Sequence, residues 1–161
     1  MAEVARIYNS TLDAYAPIMT PKELAKWRVD GRWMEKNFPI RDFYIAKDPY
    51  TKENVGMISL QFFPQADLGY LGYVFVDKSF LGEGVGKKMI SFAEGEFAKR
   101  GLSKMALISH PRAGKVIESY EKCGFKKSME SEPTRQFEGV LEPFYDENYV
   151  LLVKDIERGF Y

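Results

Sequence analysis

The stretch best equipped for chemistry is Gly82-Glu83-Gly84-Val85-Gly86-Lys87-Lys88, which follows the apolar run ending Val74-Phe75-Val76. Three alternating glycines ahead of a helix let backbone N–H groups converge with no side chains in the way. A helix N-terminus adds about half a positive charge. Together they suit a phosphate or diphosphate. Two familiar phosphate loops fail on spacing. A Gly-x-x-x-x-Gly-Lys-Ser/Thr loop would need glycine at Leu81 and a hydroxyl at Lys88. A dinucleotide fingerprint begun at Gly82 or Gly84 would need a small residue at Lys87 or Met89. The same glycines would also serve a tight strand-to-helix turn with no ligand.

The elements that must position this turn follow from periodicity. Val4, Ile7, Tyr8 and Leu12 fall near one face of a first helix. Thr20-Pro21-Lys22-Glu23 opens a second with a capping box and proline at the first helical position; its apolar face continues through Trp27 to Trp33-Met34. Residues 43–46 and 55–62 read as a hairpin, and 69–76 as a longer strand. The glycine turn then feeds a helix with Val85, Met89, Phe92, Ala93 and Phe97 inward, stopped at Gly101. A buried strand at 105–108 precedes a helix begun at His110-Pro111-Arg112 and closed at Gly124. Strands from Phe125 and over 149–153 complete the order. Antiparallel pairs early and a strand-helix-strand unit in the middle imply a mixed α+β sheet with packed helices.

Composition bounds the function. At 161 residues the chain fits one domain, 1–161, with a core large enough to fold without a staple. Hydrophobic residues make 45% and charged residues 29%, which excludes disorder. Twenty-three basic and 23 acidic residues cancel, so no nucleic-acid partner is expected. One cysteine, Cys123, and one histidine, His110, make neither a disulfide nor a common zinc site, and no metal is expected. No apolar run nears the roughly 20 residues of a membrane span, and no secretion signal is visible. A cytoplasmic protein is the expectation.

The glycine turn and the segment after it resemble the GNAT superfamily of N-acetyltransferases. The family's pyrophosphate loop, Arg/Gln-x-x-Gly-x-Gly/Ala, is matched by Leu81-Gly82-Glu83-Gly84-Val85-Gly86 after Phe75-Val76, and its next motif by the strand from Met105 to Ser109 and the helix from Ala113 to Tyr120, then Gly124-Phe125. The resemblance covers about residues 55 to 127. It implies a mostly antiparallel sheet of about six strands with a splayed parallel central pair and helices on both faces. It also implies acetyl-CoA. Val74, Phe75 and Val76 would meet the pantetheine arm, and Leu81 to Lys87 would hold the pyrophosphate. Lys88 would stand beside it, and Ser109, Ala113, Val116 and Lys122 would line the other side. Tyr120 matches the general acid for the CoA sulfur, and a phenol of ordinary pKa about 10 carries its proton at neutral pH. The glutamate base of many relatives is missing near Tyr70 or Gly72, and Asp67 is the nearest upstream carboxylate. His110 is a candidate base, with a turn group or a water chain as alternatives. Leu81 replaces the family's Arg or Gln, and the chain opens on a helix where the family normally has a strand first: either that strand is absent or the chain start is short.

The acceptor region would draw on Tyr15, Trp27, Trp33, Phe137, Phe144 and Tyr145, with Glu138, Glu142, Asp146 and Glu147. Aromatics plus carboxylates suit a cationic amine, small or peptide-borne, although acidic loops are often only solvated and the aromatics equally fit a core or a homodimer seam. The expected activity is direct acetyl transfer from acetyl-CoA to a primary amine. The alternative is a CoA-binding regulatory module without turnover.

Overall fold

The computed structural model describes residues 2–129, 133–144 and 148–157; Tyr145, Asp146 and Glu147 lie outside them. Among the described residues six strands form one sheet in the order β1-β2-β3-β4-β6-β5. They are β1 (Asp42–Lys47), β2 (Asn54–Phe63), β3 (Leu68–Val76), β4 (Lys104–Ser109), β5 (Lys126–Lys127) and β6 (Val150–Asp155). Among the described residues no strand precedes the first helix. The helices are α1 (Ala2–Ala14), α2 (Pro21–Trp27), α3 (Gly31–Asn37), α4 (Val85–Lys99) and α5 (Gly114–Lys122). No helix among the described residues is long and apolar enough to cross a membrane. By internal contacts the chain divides into Met1–Leu60 with Tyr73–Met89, and Gln61–Gly72 with Ile90–Tyr161.

In the first unit α1 buries Val4, Ile7, Tyr8 and Leu12, the stripe its spacing predicts. They pack with Val29, Met34 and Met57, and each large side chain so buried contributes about 1.5–3 kcal/mol. The capping box of α2 is present: Glu23 N–H donates to the Thr20 hydroxyl at 3.2 Å, and Thr20 N–H donates to the Glu23 carboxylate at 2.7 Å. The expected continuous second helix is instead two short ones. Arg28 is extended at the end of α2, and Asp30 caps α3 by accepting from Trp33 N–H at 2.9 Å. A capping carboxylate ahead of Gly31 restarts the helix there. The hairpin is antiparallel, with a register shift where Ala46 faces Gly56 and Lys47 faces Asn54.

Glu3 ties α1 to β2 by accepting from Arg6 at 2.6 Å and from Asn54 at 3.0 Å. The Arg6 bond, then the Asn54 bond, pull its carboxyl from 4.5 down to about 2. A lowered folded-state pKa means stability present above pH 4.5 and lost as pH falls toward 2. Glu3→Gln is therefore expected to flatten the acid limb of a stability-versus-pH curve over that window. An identical limb in wild type and variant would show the pairing to be without consequence.

In the second unit Leu68 to Leu71 pair in parallel with Lys104 to Leu107, and the parallel register ends there. Ile108 and Ser109 continue against Leu151 and Val150 of β6. Helix α4 ends in a Schellman turn: Gly101 has φ +76°, Leu102 N–H donates to Phe97 O at 3.1 Å, and Gly101 N–H to Ala98 O at 2.9 Å. Leu68, Tyr70, Ala106, Leu141 and Leu151 form one buried cluster of this unit, with Phe63 and Phe144 against it. The expected strand from Phe125 shrinks to Lys126–Lys127.

One ion pair here is mostly buried. Lys154 Nζ meets Glu94 Oε2 at 2.8 Å, the side chains 14% and 16% exposed, and Glu94 also accepts from Glu157 N–H at 2.9 Å. Glu94→Ala strands the ammonium and is expected to cost roughly 2–3 kcal/mol, since removing one partner of a buried pair leaves a charge uncompensated. Urea denaturation measures it, and a loss below about 0.5 kcal/mol would place the pair with ordinary surface bridges.

Candidate functional site

The turn entering α4 belongs to the first unit. Asp77 caps a 3-10 turn over Lys78–Phe80, and Leu81 follows in extended conformation, 60% exposed. Gly82 and Gly84 then take φ +82° and +80°. Side chains rarely adopt this left-handed conformation, so the alternation of glycines has a backbone reason at those two positions. Gly86 shows no such φ, and a Cβ there would meet only Val76 Cγ2 at 3.7 Å. The third glycine is thus not required by conformation. Lys88 N–H makes the first bond into the helix, to Gly84 O at 3.1 Å. The amides of Gly84 to Lys87 precede that bond and are the orphan donors of the helix start. No acidic residue occupies the first turn. A Cβ at Gly82 or Gly84 would stand in open space, with nothing within 4 Å. Glu83, Lys87 and Lys88 are exposed and Val85 is half-buried.

Val74, Phe75 and Val76 are half-buried, and a Cβ at Gly56 would lie 2.7 Å from Phe75 O, so β2 needs a bare backbone there. Tyr73 has φ +53° within β3, a strained conformation for a non-glycine residue. Its ring lies 5.0 Å from Trp33 and 5.2 Å from Tyr8, and the Arg41 guanidinium lies 5.0 Å from its centroid. Burial pushes the Tyr73 phenol up, against the pull of Arg41 and Trp33. The sequence reading missed Tyr73 and Arg41. The signal was Gly72, since an isolated glycine in a strand pattern marks a bulge.

The helix bearing Tyr120 belongs to the second unit. It starts at Gly114, four residues after the expected start at His110, because 110–113 form a turn: Ala113 N–H donates to His110 O at 3.0 Å. His110 Nδ1 accepts from Arg112 N–H at 3.1 Å, and the ring packs 5.2 Å from Tyr149. In neutral His110 the proton therefore sits on Nε2. Ser109 is buried at the end of β4. Ala113 is buried at the helix start and carries no side-chain cap. Val116 is half-buried. Lys122 is exposed in the last turn, roughly 13 Å along the axis from Ala113. Tyr120 is half-buried, its ring edge-on to Phe125 at 5.9 Å. A Schellman turn sets its register: Gly124 has φ +96°, Phe125 N–H donates to Tyr120 O at 3.1 Å, and Gly124 N–H to Glu121 O at 3.0 Å.

Asp67 stands at the start of β3, where its carboxylate accepts from the backbone N–H and the hydroxyl of Ser103. It is thus at the strand end opposite the one that leads to the glycine turn. Of the aromatic acceptor candidates, Tyr15, Trp27 and Trp33 fall in the first unit and Phe137 and Phe144 in the second. Glu138 and Glu142 are exposed. Burial pushes the Tyr15 phenol up, and Phe144 stacks on Tyr70 at 4.8 Å. No cluster of three or more metal-binding side chains occurs among the described residues.

The family model for the acetyltransferase (GNAT) family matches residues 4–125. The chain belongs to the GNAT family. Among solved structures, the GNAT fold is shared with the PaiA N-acetyltransferase of Thermoplasma acidophilum, in complex with coenzyme A. It is 18% identical with TM-score 0.74, covering 95% of this chain and 91% of that one. N-acetylglutamate synthase of Neisseria gonorrhoeae, complexed with coenzyme A and N-acetyl-glutamate, is 15% identical with TM-score 0.71. There 98% of this chain matches 33% of the other. A Bacillus subtilis acetyltransferase in complex with CoA is 19% identical with TM-score 0.59, over 80% and 85% of the two chains. Comparison with curated proteins finds no match.

Proposed function

We propose that the whole chain acts as one N-acetyltransferase domain, moving an acetyl group from acetyl-CoA to a primary amine by direct attack. The observation that carries this is the turn into α4. Two glycines at positive φ leave open space where side chains would stand, ahead of the unbonded amides of a fifteen-residue helix. Those amides fit a diphosphate. In this reading the amides of 82–87 hold the diphosphate, Lys87 and Lys88 screen its charge, and Val74 to Val76 offer backbone groups to the arm. Ser109, Ala113, Val116 and Lys122 line the Tyr120 side. Acetyl-CoA supplies an activated acyl carbon on a thioester.

The amine must arrive neutral, with its lone pair free. As the C–N bond forms and the C–S bond breaks, Tyr120 gives its phenolic proton to the departing sulfur and regains one from solvent. The nitrogen sheds its extra proton. For His110 to take it, Nδ1 would have to release the Arg112 amide, so we assign that proton to water and His110 to the shaping of the turn. The proposed setting is the cytoplasm, which keeps a lone thiol such as Cys123 reduced.

Calorimetry with acetyl-CoA, followed by an amine panel scored by free-thiol release, tests the reading. Binding with turnover is expected. No binding at high micromolar acetyl-CoA would end it, and tight binding with no turnover across the panel would favour a regulatory module.

A further inference from the structure

Gln61 is a polar side chain that the scheme above does not use. It lies on β2 with 7% exposure, and its Oε1 has no hydrogen-bond partner among the described residues. Buried acceptors are nearly always satisfied, so an orphan marks a bound water, a ligand or a catalytic role. Alternation places Gln61 on the same face of β2 as Phe63. Phe63 packs against the cluster of Leu68, Tyr70 and Leu141, where Phe144 also packs. Tyr70 and Phe144 stack there at 4.8 Å with 15° between their planes. The segment bringing Phe144 to this cluster is strained: Phe137 and Glu138 have φ +52° and +56°, followed by Gly139 at +75°. Consecutive non-glycine residues in this region persist only where the surroundings over-determine them, and such strain gathers at ligand sites.

We infer that Gln61 positions the acceptor: its Oε1 accepts an N–H from a primary amine carried on an aromatic or apolar arm, which lies against Tyr70 and Phe144. This rests on the acetyltransferase reading and adds the substrate class. An N–H···O bond engages a hydrogen of the amine and leaves the nitrogen lone pair for attack. An amide oxygen takes no proton at neutral pH, so Gln61 orients the amine and is not a base. The aromatic wall favours an apolar arm over a polycation.

The test follows thiol release from acetyl-CoA with 2-phenylethylamine and with spermidine, for wild type, Gln61→Met and Gln61→Glu. Methionine keeps the length and removes the orphan acceptor, so its thermal stability is expected to match or exceed wild type. The expected result is a KM for 2-phenylethylamine raised about tenfold in Gln61→Met, the scale of one lost hydrogen bond. The KM for acetyl-CoA should be unchanged. Gln61→Glu, which keeps an acceptor oxygen, should recover part of the loss. An unchanged amine KM in a stable Gln61→Met would mean that the amide holds only water and would overturn the inference. So would a wild type that binds acetyl-CoA yet turns over only spermidine, or neither amine. Failure of acetyl-CoA to bind at all would instead remove the acetyltransferase reading, and this inference with it.

Discussion

Gly84→Val is expected to weaken acetyl-CoA binding by about 10- to 100-fold, or about 1.4–2.8 kcal/mol, while the protein still folds. The reason is conformational. Gly84 sits at φ +80° with no atom within 4 Å of a Cβ, so valine meets no clash, only a backbone region that a β-branched residue avoids. Holding that conformation would cost about 1–2 kcal/mol. The chain would relax toward negative φ and swing the preceding peptide away from the cradle. Gly86→Ala is the control. Its φ is ordinary and its nearest neighbour would be Val76 Cγ2 at 3.7 Å, so acetyl-CoA affinity should hold within about twofold by the same reasoning. Calorimetry on both variants decides. Equal affinity in Gly84→Val and wild type would mean that the turn does not grip the ligand.

Tyr120→Phe is expected to lower kcat about 100-fold, the lower end of what one positioned proton donor supplies, with acetyl-CoA affinity unchanged. Because a general acid acts only as the sulfur departs, kcat and kcat/KM should fall together. Stability should barely move. The ring keeps its edge-on contact with Phe125, and the Schellman bonds that set its register are backbone. Single-turnover kinetics would read the chemical step directly. Unchanged turnover there would leave Tyr120 a packing residue.

What could be read in the sequence was local. Thr20 and Glu23 cap α2 as their spacing says, because both partners lie within one turn. Gly101 and Gly124 end α4 and α5 for the same reason. The break between α2 and α3 was also local, yet the apolar period through Trp27, Trp33 and Met34 masked the Asp30 cap. Other features depend on distant partners. A histidine in a sequence does not reveal that Nδ1 is engaged by the amide two residues on. A glutamine in a strand looks like any other, since its orphaned oxygen is a property of what surrounds it. Tyr73 reads as one more strand aromatic until Trp33 and Arg41 are placed around it. Tyr120 is a candidate by resemblance alone, with Gly124-Phe125 as its marker, and the backbone bonds at that marker fix where its helix ends.

The two-residue β5 closes one margin of the sheet with Lys126 and Lys127, both exposed. So short and cationic a border gives a stray chain almost no ladder to extend, and like charges repel a second copy. The opposite margin, β1, runs six residues and carries one charge at each end, Asp42 and Lys47. Any strand-templated aggregation of the folded protein should therefore nucleate along β1, and a proline placed there should suppress it more than any change at β5.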